Sequence, residues 1–392
     1  MNGAPLLPRG QYARIGRLFA TACLLGIVLE MQAAPGSPAS ASQAGAVESD
    51  SIDTPPPKFA ADLGNFRSPL LFRDGHRART AAEWFNRREE IIREWQALLG
   101  PWPAPLTSPR LEVLESGVRE NFTQQRVRVE IAVNQWVPGW LLIPAVTGPL
   151  PAVLVPFYEP ETSAGLKAAP HRDFALQLVH QGFVTLAIGS PGGDAWHPDT
   201  GTASCQPLAF LACAAANAGT ALAARPEVNP RRVGIVGHSY GGKWALFAAA
   251  FDPRFAACAV SDPGVVFDET RPNVNYWEPW YLGREPGKTR RPGVVTPQNP
   301  RTGAYRELIA GGHDLHELLA LLAPRPFLLS GGAEDPPERW RALNHLIAVN
   351  DLLGVTRRVA MTHRATHDPD AESNAALVAF LVRTLGADAG RD

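Results

Sequence analysis

Residues 231–250 read RRVGIVGHSYGGKWALFAAA. An apolar run ends at Ser239, glycines stand at 237, 241 and 242, and an Ala/Leu-rich segment follows. Gly237-His238-Ser239-Tyr240-Gly241 fits G-x-S-x-G, the pattern in which a strand turns sharply into a helix. Flanking glycines relieve crowding at such a turn, so the serine hydroxyl projects above the sheet. The backbone N–H of Tyr240, at the helix start, then faces a developing oxyanion. The competing reading is a buried small residue in an ordinary Gly-rich loop. Partners elsewhere in the chain decide between them.

Outward from this stretch the sequence alternates. PAVLVPFY, FVTLAIG, RRVGIVG, AACAVSD, PFLLSGG and TRRVAMT read as strands. RDFALQLVHQG, LAFLACAAANAGTALAA, GKWALFAAAF, ERWRALNHLIAVNDLLG and AESNAALVAFLVRTLG read as helices between or after them. Continuously apolar strands alternating with helices specify an α/β fold, with a mostly parallel sheet covered on both faces. Ahead of it, LEVLESGV, QRVRVEIAV and GWLLIP suggest an antiparallel start to the sheet. Thr80 and Glu83 form a capping-box pattern at the head of a helix on which Trp84, Ile91, Trp95 and Leu98 recur, and Gly100-Pro101 stops it.

A serine nucleophile needs a base and an acid, and this architecture supplies them in the order Ser, acid, His. His363 and His367 lie just past the last strand, in THRATHDPDAES. His367 is the expected base because it sits deeper in the loop, whereas His363 stands at the strand end. His345 falls inside a covering helix. The acid is expected after the penultimate strand, in PFLLSGGAEDPPERW. There Asp335 is the first choice and Glu334 its rival, with Asp262, after AACAVSD, a third candidate. A second oxyanion donor is expected from the backbone of Tyr158 or Glu159, since Pro160 has no N–H.

The interval from 263 to about 312 breaks the alternation, is rich in Pro, Gly and Arg, and carries NYWEPWYLG. A long irregular stretch between core strands reads as a functional insertion or small cap. Its Tyr276, Trp277, Trp280 and Tyr281 offer flat apolar rings to a sugar, Trp277 and Trp280 being the candidate substrate contacts. The bland reading makes them the insertion's own core. His313, Asp314 and His316 are ligand types without further ligands. Helix capping and packing explain them, so no metal and no cofactor is expected. SPGGD (190–194) lacks the spacing of a dinucleotide-binding turn and reads as a turn near the mouth of the site.

The 392 residues carry a formal net charge of −1, so no field of one sign points to nucleic acid. Arg9, Arg14 and Arg17 precede the apolar run Leu18–Leu29, which is too short for comfortable spanning and is followed by Ala39-Ser40-Ala41. The reading is a cleaved signal over 1–41, a flexible spacer over 42–79, and a secreted or periplasmic protein without a stable span after cleavage. A single N-terminal anchor is the competing reading. Cys205 and Cys213 can pair in an oxidising compartment, and Cys258 reads as buried. Asn121-Phe122-Thr123 is a sequon.

With these motifs in place, the chain resembles the α/β-hydrolase superfamily over roughly residues 110–385. More narrowly it resembles the bacterial secreted carbohydrate esterases, the glucuronoyl esterases and acetyl xylan esterase-like proteins. Two motifs carry the narrower likeness: HDLHELLALLAPRP, from Asp314 and His316 to Pro326, and Lys243 shortly after the nucleophile. The resemblance implies an ester of a carbohydrate or plant-polysaccharide decoration as substrate, and a hydrolase domain over 80–392. One departure is Tyr240, where glucuronoyl esterases have an arginine directly after the serine. Two other functions remain in view: a prolyl-oligopeptidase-like serine peptidase with the same triad, and a non-catalytic carbohydrate-binding protein on a hydrolase fold.

Overall fold

Why the strands cluster follows from their burial. Every residue of Ala257–Ser261 and Phe327–Gly331 is buried, and so are Val184–Ile188, as sheet centres covered on both faces require. The computed structural model describes residues 52–271, 276–288 and 293–386. The expected signal over 1–41, and residues 42–51 of the expected spacer, lie outside the described residues. Among the described residues no helix is long and apolar enough to cross a membrane.

The strands are β1 (Leu111–Arg119), β2 (Phe122–Ala132), β3 (Gln135–Pro144), β4 (Leu150–Pro156), β5 (Val184–Ile188), β6 (Val228–His238), β7 (Ala257–Ser261), β8 (Phe327–Gly331) and β9 (Val359–His363). They form one sheet in the order β1-β2-β3-β5-β4-β6-β7-β8-β9. β1, β2, β3 and β5 pair antiparallel in succession. From β5 through β4 to β9 all pairing is parallel. This is the α/β-hydrolase arrangement, and the antiparallel start and parallel body expected above are both present.

The helices are α1 (Ala81–Leu99), α2 (Pro160–Ser163), α3 (Phe174–Val179), α4 (Pro207–Ala223), α5 (Tyr240–Phe251), α6 (Gly303–Ala310), α7 (His316–Ala320), α8 (Trp340–Leu352) and α9 (Ala371–Leu385). Two apolar clusters sandwich the sheet. One is built by residues of α1, α4, α5, α7 and α8, the other by α3 and α9. The alternation predicted neither α2 nor α6; both lie in segments rich in Pro, Gly or Ser, where periodicity is weak. Thr80 and Glu83 make the expected capping box. Trp84, Ile91 and Trp95 are fully buried.

Residues 52–79 correct the expectation of a flexible spacer. Phe59, Leu70 and Ala78 are buried, and the segment's carbonyls are taken by core side chains. Asn344 Nδ2 donates to Phe59 O and Asp62 O (both 2.8 Å), His345 bonds Leu63 O (3.0 Å), and His316 bonds Arg67 O (2.7 Å). Composition suggested a linker; a few apolar anchors and satisfied carbonyls make it a strap across α7 and α8. His345, expected on the covering helix, and His316, expected to pack, both serve this strap.

α1 is tied to α7 through buried polar groups. Trp95 Nε1 and His313 Nδ1 both meet Glu317 Oε2 at 2.7 Å. Burial pushes the Glu317 carboxyl up, but the hydrogen bonds from His313 and Trp95 and the neighbouring His313 and His316 rings together hold its pKa below the usual value. Asp314 Oδ1 accepts from Leu315 N (2.5 Å) at the head of α7 and from Phe267 N (2.9 Å), joining α7 to the insertion. Trp95→Phe keeps an aromatic ring but removes the indole N–H and part of its volume, stranding one side of a buried carboxylate. It is expected to cost about 1–3 kcal/mol of unfolding free energy, read from the midpoint of a urea titration.

Candidate active site

Ser239 is held at the β6–α5 turn in a conformation that only a constrained site tolerates, φ 54° and ψ −117°. Its N–H donates to Ser261 O at 2.8 Å, and Lys243 N donates back to Ser239 O at 3.0 Å. The flanking glycines have steric causes. A Cβ on Gly237 would lie 2.1 Å from Gly241 O, and one on Gly241 would lie 2.2 Å from Pro156 O. The start of α5 therefore sits directly on the end of β4, beside the Phe157-Tyr158 loop. Tyr240, as the first helical residue, has an N–H without an intrahelical acceptor. The Tyr158 side chain stands beside Ser239: burial raises its phenol pKa, and the serine pulls it partly back.

The histidine expected as the base lies beside the serine. His367 Nε2 lies 2.9 Å from Ser239 Oγ. His363, by contrast, is exposed at the end of β9. The acid is a correction. His367 Nδ1 meets Asp262 Oδ2 at 2.8 Å, so the third candidate, not Asp335 or Glu334, is the partner of the imidazole. Asp262 follows β7 with φ 50°, a left-handed turn that aspartate tolerates. Its buried carboxylate also accepts from Asp335 N (2.8 Å) and Glu334 N (3.1 Å).

The two displaced candidates are occupied otherwise. Asp335 is fully buried and turned toward the β7 loop, accepting Gly264 N and Val265 N at 2.7 Å each, with Arg339 Nε at 3.4 Å. Burial and the neighbouring Asp262 charge push its pKa up to about 6. Glu334 pairs with Arg271 at 2.8 Å. The loop after β8 thus supplies backbone donors to the Asp262 carboxylate, which comes from one strand earlier.

Sequence reading missed Arg364. Its buried guanidinium gathers the loops around His367. Nη2 donates to His367 O (2.6 Å) and Ser261 Oγ (3.1 Å), Nη1 to Ser330 O (3.0 Å), and Nε to Asp368 O (2.8 Å). Burial lowers its pKa below the ordinary arginine value. An arginine one residue past an apolar strand, facing other strand ends, is the only signal the sequence offered. His238 lies under His367, ring centroids 4.8 Å apart, with Nδ1 at 3.1 Å from Ser261 O. Burial holds its pKa well below the usual histidine value, so a neutral ring lies against His367.

The aromatic candidates divide. Trp277 is fully buried with Nε1 on Gly293 O (3.1 Å), so it belongs to the insertion's core and is withdrawn as a substrate contact. Trp280 is half-buried and meets Trp196 edge-on at 4.6 Å; Trp196 is 54% exposed. From that pair, ring contacts run inward through Tyr281 (5.7 Å) and Tyr240 (6.2 Å) to Tyr158 (5.1 Å). Tyr240 is buried, and its hydroxyl lies 3.0 Å from Ser190 Oγ, which donates onward to Asp194 O at 2.9 Å. The SPGGD turn is therefore the support of Tyr240. Cys205, Cys213 and Cys258 are free thiols; burial pushes Cys213 and Cys258 up to about 12.

The model of the prolyl oligopeptidase family matches residues 171–302, about a third of the chain. No curated protein matches. Among solved structures the chain is similar to a glucuronoyl esterase from Solibacter usitatus, at 19% identity and TM-score 0.62, covering 81% of this chain and 97% of that one. It is also similar to a promiscuous esterase of carbohydrate esterase family 15 from a marine bacterial metagenome (17%, TM-score 0.60, 81% and 96% covered). A family 15 glucuronoyl esterase from Caldicellulosiruptor kristjansonii gives 20%, TM-score 0.57, and 82% and 91% covered. At these identities the likeness establishes the α/β-hydrolase fold.

The raised Asp335 pKa has a definite sign. Its stabilising effect is fully present below the ordinary aspartate pKa of 3.8 and is lost as pH rises through about 6. Asp262→Asn removes the like charge while leaving burial in place. The Asp335 side-chain carboxyl, followed by carbon-13 NMR, is then expected to titrate below its wild-type value.

Proposed function

We propose that the protein is a serine esterase, acting through an acyl-enzyme on carboxylic esters of carbohydrate or plant-polysaccharide decorations. One observation carries the chemistry: the continuous hydrogen-bonded chain Ser239 Oγ–His367–Asp262, at 2.9 and 2.8 Å. Ser239 Oγ attacks the ester carbonyl as His367 Nε2 takes its proton, and the Asp262 carboxylate holds the tautomer and stabilises the imidazolium. The Tyr240 and Tyr158 N–H groups take the developing oxyanion, on the adjoining helix start and strand end. The imidazolium returns its proton to the leaving alcohol. Water, activated by the same ring, releases the acid.

The carbohydrate part of the reading draws on the names of the similar solved structures and on the Trp196–Trp280 pair, whose exposed indole offers a stacking surface. A secreted or periplasmic setting draws on the Arg-flanked apolar run near the N-terminus. A peptidase of the prolyl-oligopeptidase type is a second reading, favoured by the family match over residues 171–302.

Ser239→Ala is expected to lower turnover of p-nitrophenyl acetate by about 10⁴-fold or more, and Asp262→Asn by about 10²–10⁴-fold. His367→Ala should resemble the serine variant, while His363→Ala keeps most of the activity. Normal turnover by Ser239→Ala would sink the reading. A panel of acetyl, feruloyl and methyl glucuronoyl esters beside proline-containing peptides separates esterase from peptidase. Failure of a fluorophosphonate to label the wild type would mark a non-catalytic binding protein.

A further inference from the structure

Lys243 lies on α5, four residues after the nucleophile, and is completely buried. A buried ammonium is costly unless its charge is answered. Here Nζ donates to Pro263 O, in the residue directly after Asp262. It also faces the rings of Tyr276 and Tyr281, 5.1 and 5.4 Å from their centroids. The carboxylates that act on it are Asp335, Glu334 and Asp262, in that order of strength; burial, the larger effect, lowers its pKa to about 8. Each carboxylate has another partner: Arg339 beside Asp335, Arg271 on Glu334, and His367 on Asp262, with Arg364 also close enough to feel Asp262 and Asp335.

The loop that Lys243 touches is tied down residue by residue. Tyr276 Oη donates to Gly264 O at 2.7 Å, and Gly264 N and Val265 N donate to Asp335. Asp335 N in turn donates to Asp262. The carbonyl of Pro263 completes this circuit, and its donor comes from the same helix that carries Ser239. With its amine enclosed by two tyrosines and a carbonyl, Lys243 has no surface to offer a substrate.

We infer that Lys243 is a positioning residue: it ties the nucleophile helix to the Asp262 loop by holding the Pro263 carbonyl, and so fixes where Asp262 meets His367. This rests on the proposed serine-esterase reading. The shared circuit predicts an effect on the chemical step and on its acidic limb, rather than on substrate affinity.

The test uses the purified full chain as wild type, Ser239→Ala, Lys243→Met and Tyr276→Phe, with circular dichroism to confirm folding. Hydrolysis of p-nitrophenyl acetate and the rate of fluorophosphonate labelling are followed across pH. Lys243→Met is expected to lower kcat and the labelling rate by roughly tenfold or more, with KM near wild type. Its acidic limb of kcat/KM should move to higher pH, because removing a buried cation favours the more protonated state of a catalytic site beside it. Wild-type kcat and limb would overturn the inference, as would a rise in KM alone, which would make Lys243 a substrate contact. If Lys243→Met does not fold, Tyr276→Phe decides: a smaller fall in kcat in the same direction supports the circuit, and unchanged kcat and limb overturn it. A wild type that neither turns over nor labels would remove the esterase reading itself, a result distinct from any difference between variants.

Discussion

The bond between Asp262 and His367 is the constraint on which the site depends. It joins a loop after β7 to a loop after β9, with β8 lying between them in the sheet. Because β8 intervenes, its own loop must pass beneath the pair, and it does so by giving two N–H groups to the Asp262 carboxylate. A Cβ on Gly332 would stand 2.3 Å from Thr366 O and 2.8 Å from Asp262 Oδ2, so the crossing leaves room only for glycine. Arg364 closes the arrangement from below by binding the carbonyls of β8 and the His367 loop together. The placement of His367 is thus set by three adjacent strand ends.

That economy places two carboxylates, Asp262 and Asp335, in one buried space. Two like charges there raise the pKa of whichever is less well solvated by donors. Both receive two backbone N–H groups, but Asp262 also faces an imidazole that becomes cationic in the proposed reaction. Asp335 has Arg339 at the longer distance of 3.4 Å and is the one pushed up to about 6. The division of labour follows: one carboxylate is kept for the histidine, and the other braces the loop that carries it.

The fold was legible because its signal is redundant. Apolar pentads such as ACAVS and FLLSG, each bounded by glycine, proline or charge, specify parallel strands many times over. Ser239 and His367 were legible as candidates, the first from a short distinctive motif at a strand end and the second as the histidine deeper in the loop that follows the last strand. The acid was not, because AVSD and SGGAED both put a carboxylate after a core strand, and only the φ of Asp262 and the path of the β8 loop separate them. Residues 52–79 were misjudged on composition, which carries no information about whether carbonyls find donors. Arg364 and the buried role of Lys243 depend on contacts among segments far apart in the chain, and one sequence does not encode such pairings locally.

Tyr240 shows how a departure at one residue spreads through a site. Its side chain stands next to the nucleophile in sequence, yet it turns into the core and rests on Ser190. In the proposed reaction this leaves its backbone N–H at the oxyanion and removes its side chain from it. From Tyr240, ring contacts run outward through Tyr281 and Trp280 to Trp196. Those rings belong to three different segments: the nucleophile helix, the insertion and the loop after β5. A buried tyrosine beside the serine therefore ties these three segments to the turn that holds Ser239, and Ser190 anchors it there.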